Sequence, residues 1–125
     1  MIDHPKLARI SLAHDVQRAK LHALSDLYHA GAGQTRRLAG LIEGSPFADM
    51  TSAELAGVHI EPEDARANVV DSNRRDQLDV ARMLAAERDR MRELSRLIDE
   101  ARATVEPLAA LLTRLTRYAT CGATA

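Results

Sequence analysis

Apolar side chains recur every seventh residue through the C-terminal half of the chain. Two interleaved series share this period, one with Leu84, Met91, Ile98, Val105 and Leu112, the other with Leu94, Ala101, Leu108 and Leu115. Because seven residues make about two turns of an α-helix, both series fall on one stripe of a single helix. This stripe, called the seam below, predicts a long helix over residues 62–118 that packs as a coiled coil or a helical bundle.

The ends and interior of this helix are marked in the sequence. Pro62 suits a first helical position, where its missing N–H costs nothing. Pro107 removes an internal hydrogen bond, so we expect a kink there. Gly122 predicts a stop, which leaves residues 119–125 as a tail.

Three polar residues interrupt the seam: Asn73, Gln77 and Glu87. They favour either register control inside an assembly or a seam that begins only after residue 77, with Glu87 at a wet boundary. The second interpretation is simpler.

The N-terminal half predicts a second helix over residues 3–30. One side of this helix carries the apolar residues, and Gly31 and Gly33 are expected to end it. The expected inward residues are Ile10, Ala13, Val16, Leu24, Leu27 and Tyr28. A short helix is expected at 34–43, followed by a connector at 44–61.

The connector holds two readable signals. Thr51 and Glu54 match a capping box, which predicts a short helix ending at Ala56, and Phe47 is expected to pack onto the helices. The sequence therefore predicts one all-α domain over 1–125: a long heptad-bearing helix packed with a shorter N-terminal helix, as a helical hairpin or coiled-coil bundle.

A helix of about half the length cannot cover the whole seam, so another chain is expected to cover the remainder. Met83, Leu97 and Leu111 widen the stripe, which favours a bundle of three or more helices. The predicted oligomer interface comprises Leu84, Met91, Leu94, Leu97, Ile98, Val105, Leu108, Leu111, Leu112 and Leu115.

Composition narrows the function classes. The net charge is −1, so the basic surplus of a free-standing nucleic-acid binder is missing. The apolar runs are too short for a membrane span, and a signal peptide is not evident. A single cysteine, Cys121, rules out an intrachain disulfide. We expect a soluble protein, located in the cytoplasm or in a virion.

His22, Asp26 and His29 share one face of the N-terminal helix. Such spacing predicts a metal site or a pH-sensitive contact in some helical bundles. The face is the polar one, however, and a matching ligand set on another helix is missing, so a solvated or partner-facing stripe is the simpler interpretation. We expect no bound cofactor or metal.

Residues 51–70 faintly resemble a helix-turn-helix in pattern, and residues 51–75 would lie near DNA in that interpretation. Arg66, Arg74 and Arg75 could contact phosphates, but nearby acidic residues offset their charge. A capped connector is the simpler interpretation, and a DNA-associated regulatory or packaging protein is the alternative.

The sequence lacks a phosphate-binding glycine loop, an activated nucleophile and a paired acidic site, so we expect a protein that is not an enzyme. Fifteen arginines against two lysines suggest a GC-rich bacterial or phage genome. The hypothesis is a helical oligomerising assembly protein, such as a connector, scaffold or chaperone of a phage or bacterial particle. A metal-binding helical bundle is a further alternative.

Overall fold

The computed structural model describes residues 4–61 and 69–124. It contains three helices in this part of the chain: α1 at His4–Leu41, α2 at Ser52–Ala56 and α3 at Val69–Thr124. α3 packs against α1 as an all-α helical hairpin, and the described residues contain no strand, so the predicted fold class is confirmed. Pro62 and Arg66, which entered the sequence predictions, lie outside the described residues.

The first helix is longer than the sequence predicted. α1 runs without a break through Gly31, Gly33 and Gly40 to Leu41, so the expected end at Gly31 is wrong and the separate helix at 34–43 is part of α1. Gly31 is buried where α3 passes close by: a Cβ atom placed on it would overlap the Sδ atom of Met91. This glycine therefore permits close helix packing, and it does not terminate the helix.

The break comes after α1, at Gly44, where the predicted connector begins. Gly44 has a φ angle of +80°, in the left-handed region that glycine adopts without steric cost. The backbone N–H of Ser45 donates to the carbonyl of Ile42 at 2.9 Å, which closes the turn at the helix end.

The predicted capping box of Thr51 and Glu54 is confirmed. The hydroxyl of Thr51 accepts from the backbone N–H of Glu54 at 3.2 Å, and the Glu54 carboxylate accepts from the backbone N–H of Thr51 at 3.1 Å. These two bonds form the capping box that starts α2, which ends at Ala56 as predicted.

α3 contains Pro107 in its interior and continues through Gly122 to Thr124. The predicted stop at Gly122 and the tail from residue 119 are therefore wrong for the described residues.

The described residues fall into two compact units. The connector unit contains residues 28–61 and 69–93, and the terminal unit contains 4–27 and 94–124. The connector unit has three layers, because the segment 42–61 covers α1 and α3. Its buried core comprises Leu38, Ile42, Phe47, Leu55, Leu78, Ala81, Leu84 and Ala85. Phe47 thus packs onto the helices, as predicted.

The terminal unit has two layers, α1 residues 4–27 and α3 residues 94–124. Its buried apolar residues in the described part are Leu94, Ile98 and Ala101. A pair of helices with no third element leaves the flanks of its interface open to solvent, so most apolar residues here are only half-buried. None of the described helices is both long enough and apolar enough to cross a bilayer.

Candidate interaction surface

The seam residues divide into a buried set and a half-buried set. Leu84, Leu94 and Ile98 are buried, with exposed fractions of 1%, 7% and 8%. The chain's own elements therefore cover these three members of the predicted oligomer interface. The other predicted members stay half-buried: Met91, Leu97, Val105, Leu108, Leu111, Leu112 and Leu115.

The partner of the seam is a heptad pattern in α1 that the sequence reading missed. Most of the half-buried and buried residues of α1 follow alternate spacings of three and four residues, and Ile42 just after the helix continues the series. The series is Leu7, Ile10, His14, Gln17, Leu21, Leu24, Tyr28, Gly31, Thr35, Leu38 and Ile42. This is the spacing of a helix that packs along a second helix. Ala13, Val16 and Leu27, which were predicted to face inward, are exposed instead.

The polar members of this pattern hid it. His14, Gln17, Gly31 and Thr35 occupy inward positions, so an apolar count alone favours the wrong face. The hydroxyl of Thr35 has a hydrogen-bond partner within its own helix, because it donates to the carbonyl of Gly31 at 2.8 Å. The three-and-four spacing of the remaining leucines and isoleucines was the signal that could have found the face.

Several large apolar side chains remain exposed. In the terminal unit these are Leu12, Val16, Leu27 and Tyr118, and in the connector unit they are Leu41 and Met83. Scattered exposed leucines are normal on a protein surface. The terminal unit combines its four exposed apolar residues with half-buried leucines, so it presents more apolar surface than a covered core would.

The connector segment, residues 42–61, covers one side of its unit. Hydrogen bonds of arginine and serine side chains join it to α3. Arg88 donates to the carbonyl of Ala48 at 2.8 Å, Arg82 donates to the carbonyl of Val58 at 2.9 Å, and Ser52 donates to Asp89 at 2.6 Å. These bonds hold the segment on the side of α3 that carries Arg88.

An open groove of about 410 Å³ lies on that same side. Its lining comes from matching positions of the two helices: Ala32, Thr35 and Arg36 of α1, and Arg88, Met91 and Arg92 of α3. Arg92 also binds Asp89 at 2.6 Å. The lining shows that residues which follow an inward position lie on the same side of both helices.

Glu87 occupies a seam position and is mostly covered, with 17% of its side chain exposed. Arg90 donates to its carboxylate at 2.6 Å, and this hydrogen bond raises the pKa of Arg90, with the negative charge of Glu87 as the second cause. The carboxylate is therefore satisfied by its own helix. Asn73 is exposed and Gln77 is half-buried.

The residues of the predicted metal or pH-sensitive face are all exposed on α1. His22, Asp26 and His29 contact no ligand set from another element, and the ring of His29 lies edge-on to Tyr28 with 6.2 Å between ring centroids. Within 4–61 and 69–124, no three His, Cys, Asp or Glu side chains are placed to hold one metal ion.

The segment considered for DNA contact is built as a capped connector in its described part. α2 is tied to α3 through Ser52 and Asp89. Arg74 and Arg75 are exposed near the start of α3. Comparison with protein-family models, with curated proteins and with solved structures found no match to this chain.

Proposed function

We propose that the chain is a non-enzymatic helical assembly protein that self-associates through the apolar surface of its terminal unit. The observation that carries the proposal is the half-burial of Leu97, Val105, Leu108, Leu111 and Leu115 in a unit of only two layers. Each leucine that moves from water into an interface contributes roughly 1.5–3 kcal/mol when it becomes fully buried.

Two further features support this role. The connector unit achieves a closed core by adding a third layer, so the same helix pair is able to bury its flanks when a further element is supplied. The terminal unit has no such element within the described residues, and a partner chain would supply it. The size and the all-α fold suit a connector, scaffold or chaperone subunit of a phage or bacterial particle, which is an analogy at the level of fold.

The test is the mass of the purified chain in solution. Multi-angle light scattering over a concentration series should give at least twice the 13.7 kDa of one chain. A mass of 13.7 kDa at every concentration would contradict self-association. Circular dichroism of the same samples checks that the measured species is helical.

A further inference from the structure

The two sides of the terminal unit differ in chemistry. On one side, α1 and α3 present the residues that immediately precede inward positions. The large apolar residues of this set are Val16, Leu27, Leu97, Leu111 and Tyr118, and its charged residues are Lys6, Arg9, Lys20, Glu93, Glu100 and Arg114. We call this the leucine side. On the other side stand the residues that follow inward positions, and within the described terminal unit none of them is a large apolar side chain. They include Ser11, Arg18, Ser25, Ser95, Arg102, Ala109 and Thr116, and we call this the polar side.

The helices run in opposite directions, and this places each set together. When the two antiparallel helices are viewed along their common axis, successive residues advance clockwise around one helix and anticlockwise around the other. Residues that precede an inward position therefore lie on one common side. The groove in the connector unit shows the same rule for the opposite set, since Ala32 and Arg88, which both follow inward positions, line it together.

The surface area of the chain is large for its mass. It exposes 8885 Å² of accessible surface, whereas a compact monomer of 13.7 kDa exposes roughly 6,600 Å². The excess of about 2,300 Å² lies within the roughly 1,000–2,500 Å² that each subunit buries in an obligate dimer. One further copy of the same chain is thus enough to use the excess.

Resting on the proposed function, we infer that the partner of the terminal unit is a second copy of this chain, and that the two copies pack leucine side to leucine side. In a two-fold dimer the same patch of both copies forms the interface. If one residue of the first copy contacts a second residue of the other copy, the reverse contact forms as well, so the patch is self-complementary. Four helices then enclose one core, which covers the flank that two helices leave open. The polar side of each copy stays in water.

Two matched double variants test the face. Leu27→Glu with Tyr118→Glu places two negative charges on the leucine side, at side chains that are 48% and 67% exposed in the single chain. Ser95→Glu with Thr116→Glu places the same two charges on the polar side, also at exposed positions. Because all four positions are exposed, the fold of the single chain should survive both changes.

Sedimentation equilibrium gives the readout. The unchanged chain and the polar-side variant should both sediment as two copies, and the leucine-side variant should dissociate, with a dissociation constant raised by about 100-fold or more. If the polar-side variant dissociates and the leucine-side variant does not, the inferred face is wrong, while self-association stands. Unchanged dimerisation in both variants, or a mass above two copies, also overturns this inference and leaves the proposed function intact. A monomeric unchanged chain overturns both.

A measurement on the unchanged chain removes any doubt about folding of the variants. A soluble paramagnetic agent broadens the NMR signals of methyl groups that face water. The methyl groups of Leu27 should be shielded from it in concentrated samples and become accessible on dilution, while those of Leu12, outside the leucine side, should be accessible throughout. Equal accessibility of Leu27 and Leu12 at all concentrations would overturn the inferred face.

Discussion

At the scale of single residues, two nearby glycines of α1 have opposite roles. Gly33 has open space around it, so Gly33→Ala should stabilise the helix by about 1 kcal/mol through its higher helix propensity. Gly31→Ala gains the same term but must displace the side chain of Met91, and overpacking of this kind costs about 1–3 kcal/mol. In urea unfolding, the free energy of unfolding of Gly33→Ala should therefore be higher than that of the unchanged chain, and that of Gly31→Ala should be equal or lower.

A second substitution separates the packing effect from propensity. In the Gly31→Ala background, Met91→Ala removes the overlapping atom, so the two changes together should be less damaging than the sum of the single effects. Strict additivity would show that Gly31 does not lie against Met91.

Two consecutive residues of α3 distinguish the internal part of the seam from its surface. Ile98 is buried within the chain, so Ile98→Ala should lower the free energy of unfolding by about 2–5 kcal/mol at any protein concentration. A charge there, as in Ile98→Asp, would break the hairpin itself, which makes it unsuitable as a test of assembly.

Leu97→Ala is the matched control for that substitution. Leu97 is half-buried, so in dilute solution Leu97→Ala should lower the free energy of unfolding by less than Ile98→Ala does. The loss should grow as the chain is concentrated, because the side chain then lies in the interface. Denaturation curves at two protein concentrations measure both effects, and a loss at Leu97 that ignores concentration would count against the leucine side.

At the scale of elements, α2 depends on its capping box, which gives a defined pH response. The backbone N–H of Thr51 and, second, its hydroxyl donate to the Glu54 carboxylate and lower the pKa of Glu54 below its ordinary value of 4.5. Because the folded state lowers this pKa, the carboxylate's contribution is complete above pH 4.5 and is lost as the pH falls through the lowered value. Thr51→Ala should cost about 0.5–2 kcal/mol near neutrality.

Glu54→Gln is the control for the pH response. Glutamine also closes a capping box, so the variant should fold at neutral pH but lose the part of the acid sensitivity that belongs to Glu54. Urea midpoints of both chains, measured at neutral pH and below pH 4.5, give the comparison. Identical pH profiles would show that the Glu54 contact contributes nothing to stability.

The elements also show how far the sequence leads. The seam, the start of the connector at residue 44 and the capping box depend on local patterns of a few residues, and each was predictable. The length of α1 was not, because glycine is a helix stop by intrinsic propensity, and only the close approach of α3 at Met91 explains why Gly31 stands inside a helix.

The interaction surface was predictable only in part, for a similar reason. A seven-residue repeat in α3 identifies an apolar stripe, but it does not say which element covers each turn. Leu94 and Ile98 are covered by the chain itself, which depends on the inward face of α1. That face contains His14 and Gln17, so tertiary packing decided it against the simple apolar pattern.

At the scale of the whole molecule, the type of force between copies is testable through salt. Association through the leucine side buries apolar surface, so sulfate should strengthen it, and the heat-capacity change of association should be negative. Charge-driven association, including binding to DNA phosphates, weakens as salt rises. Sedimentation in sodium chloride and in sodium sulfate, with dilution calorimetry at several temperatures, separates the two. As a control, Lys20→Gln removes a charge from α1 and keeps the leucines, so this variant should dimerise like the unchanged chain. A dimer of the unchanged chain that dissociates steeply with added salt would show that charges, and not these leucines, hold the copies together.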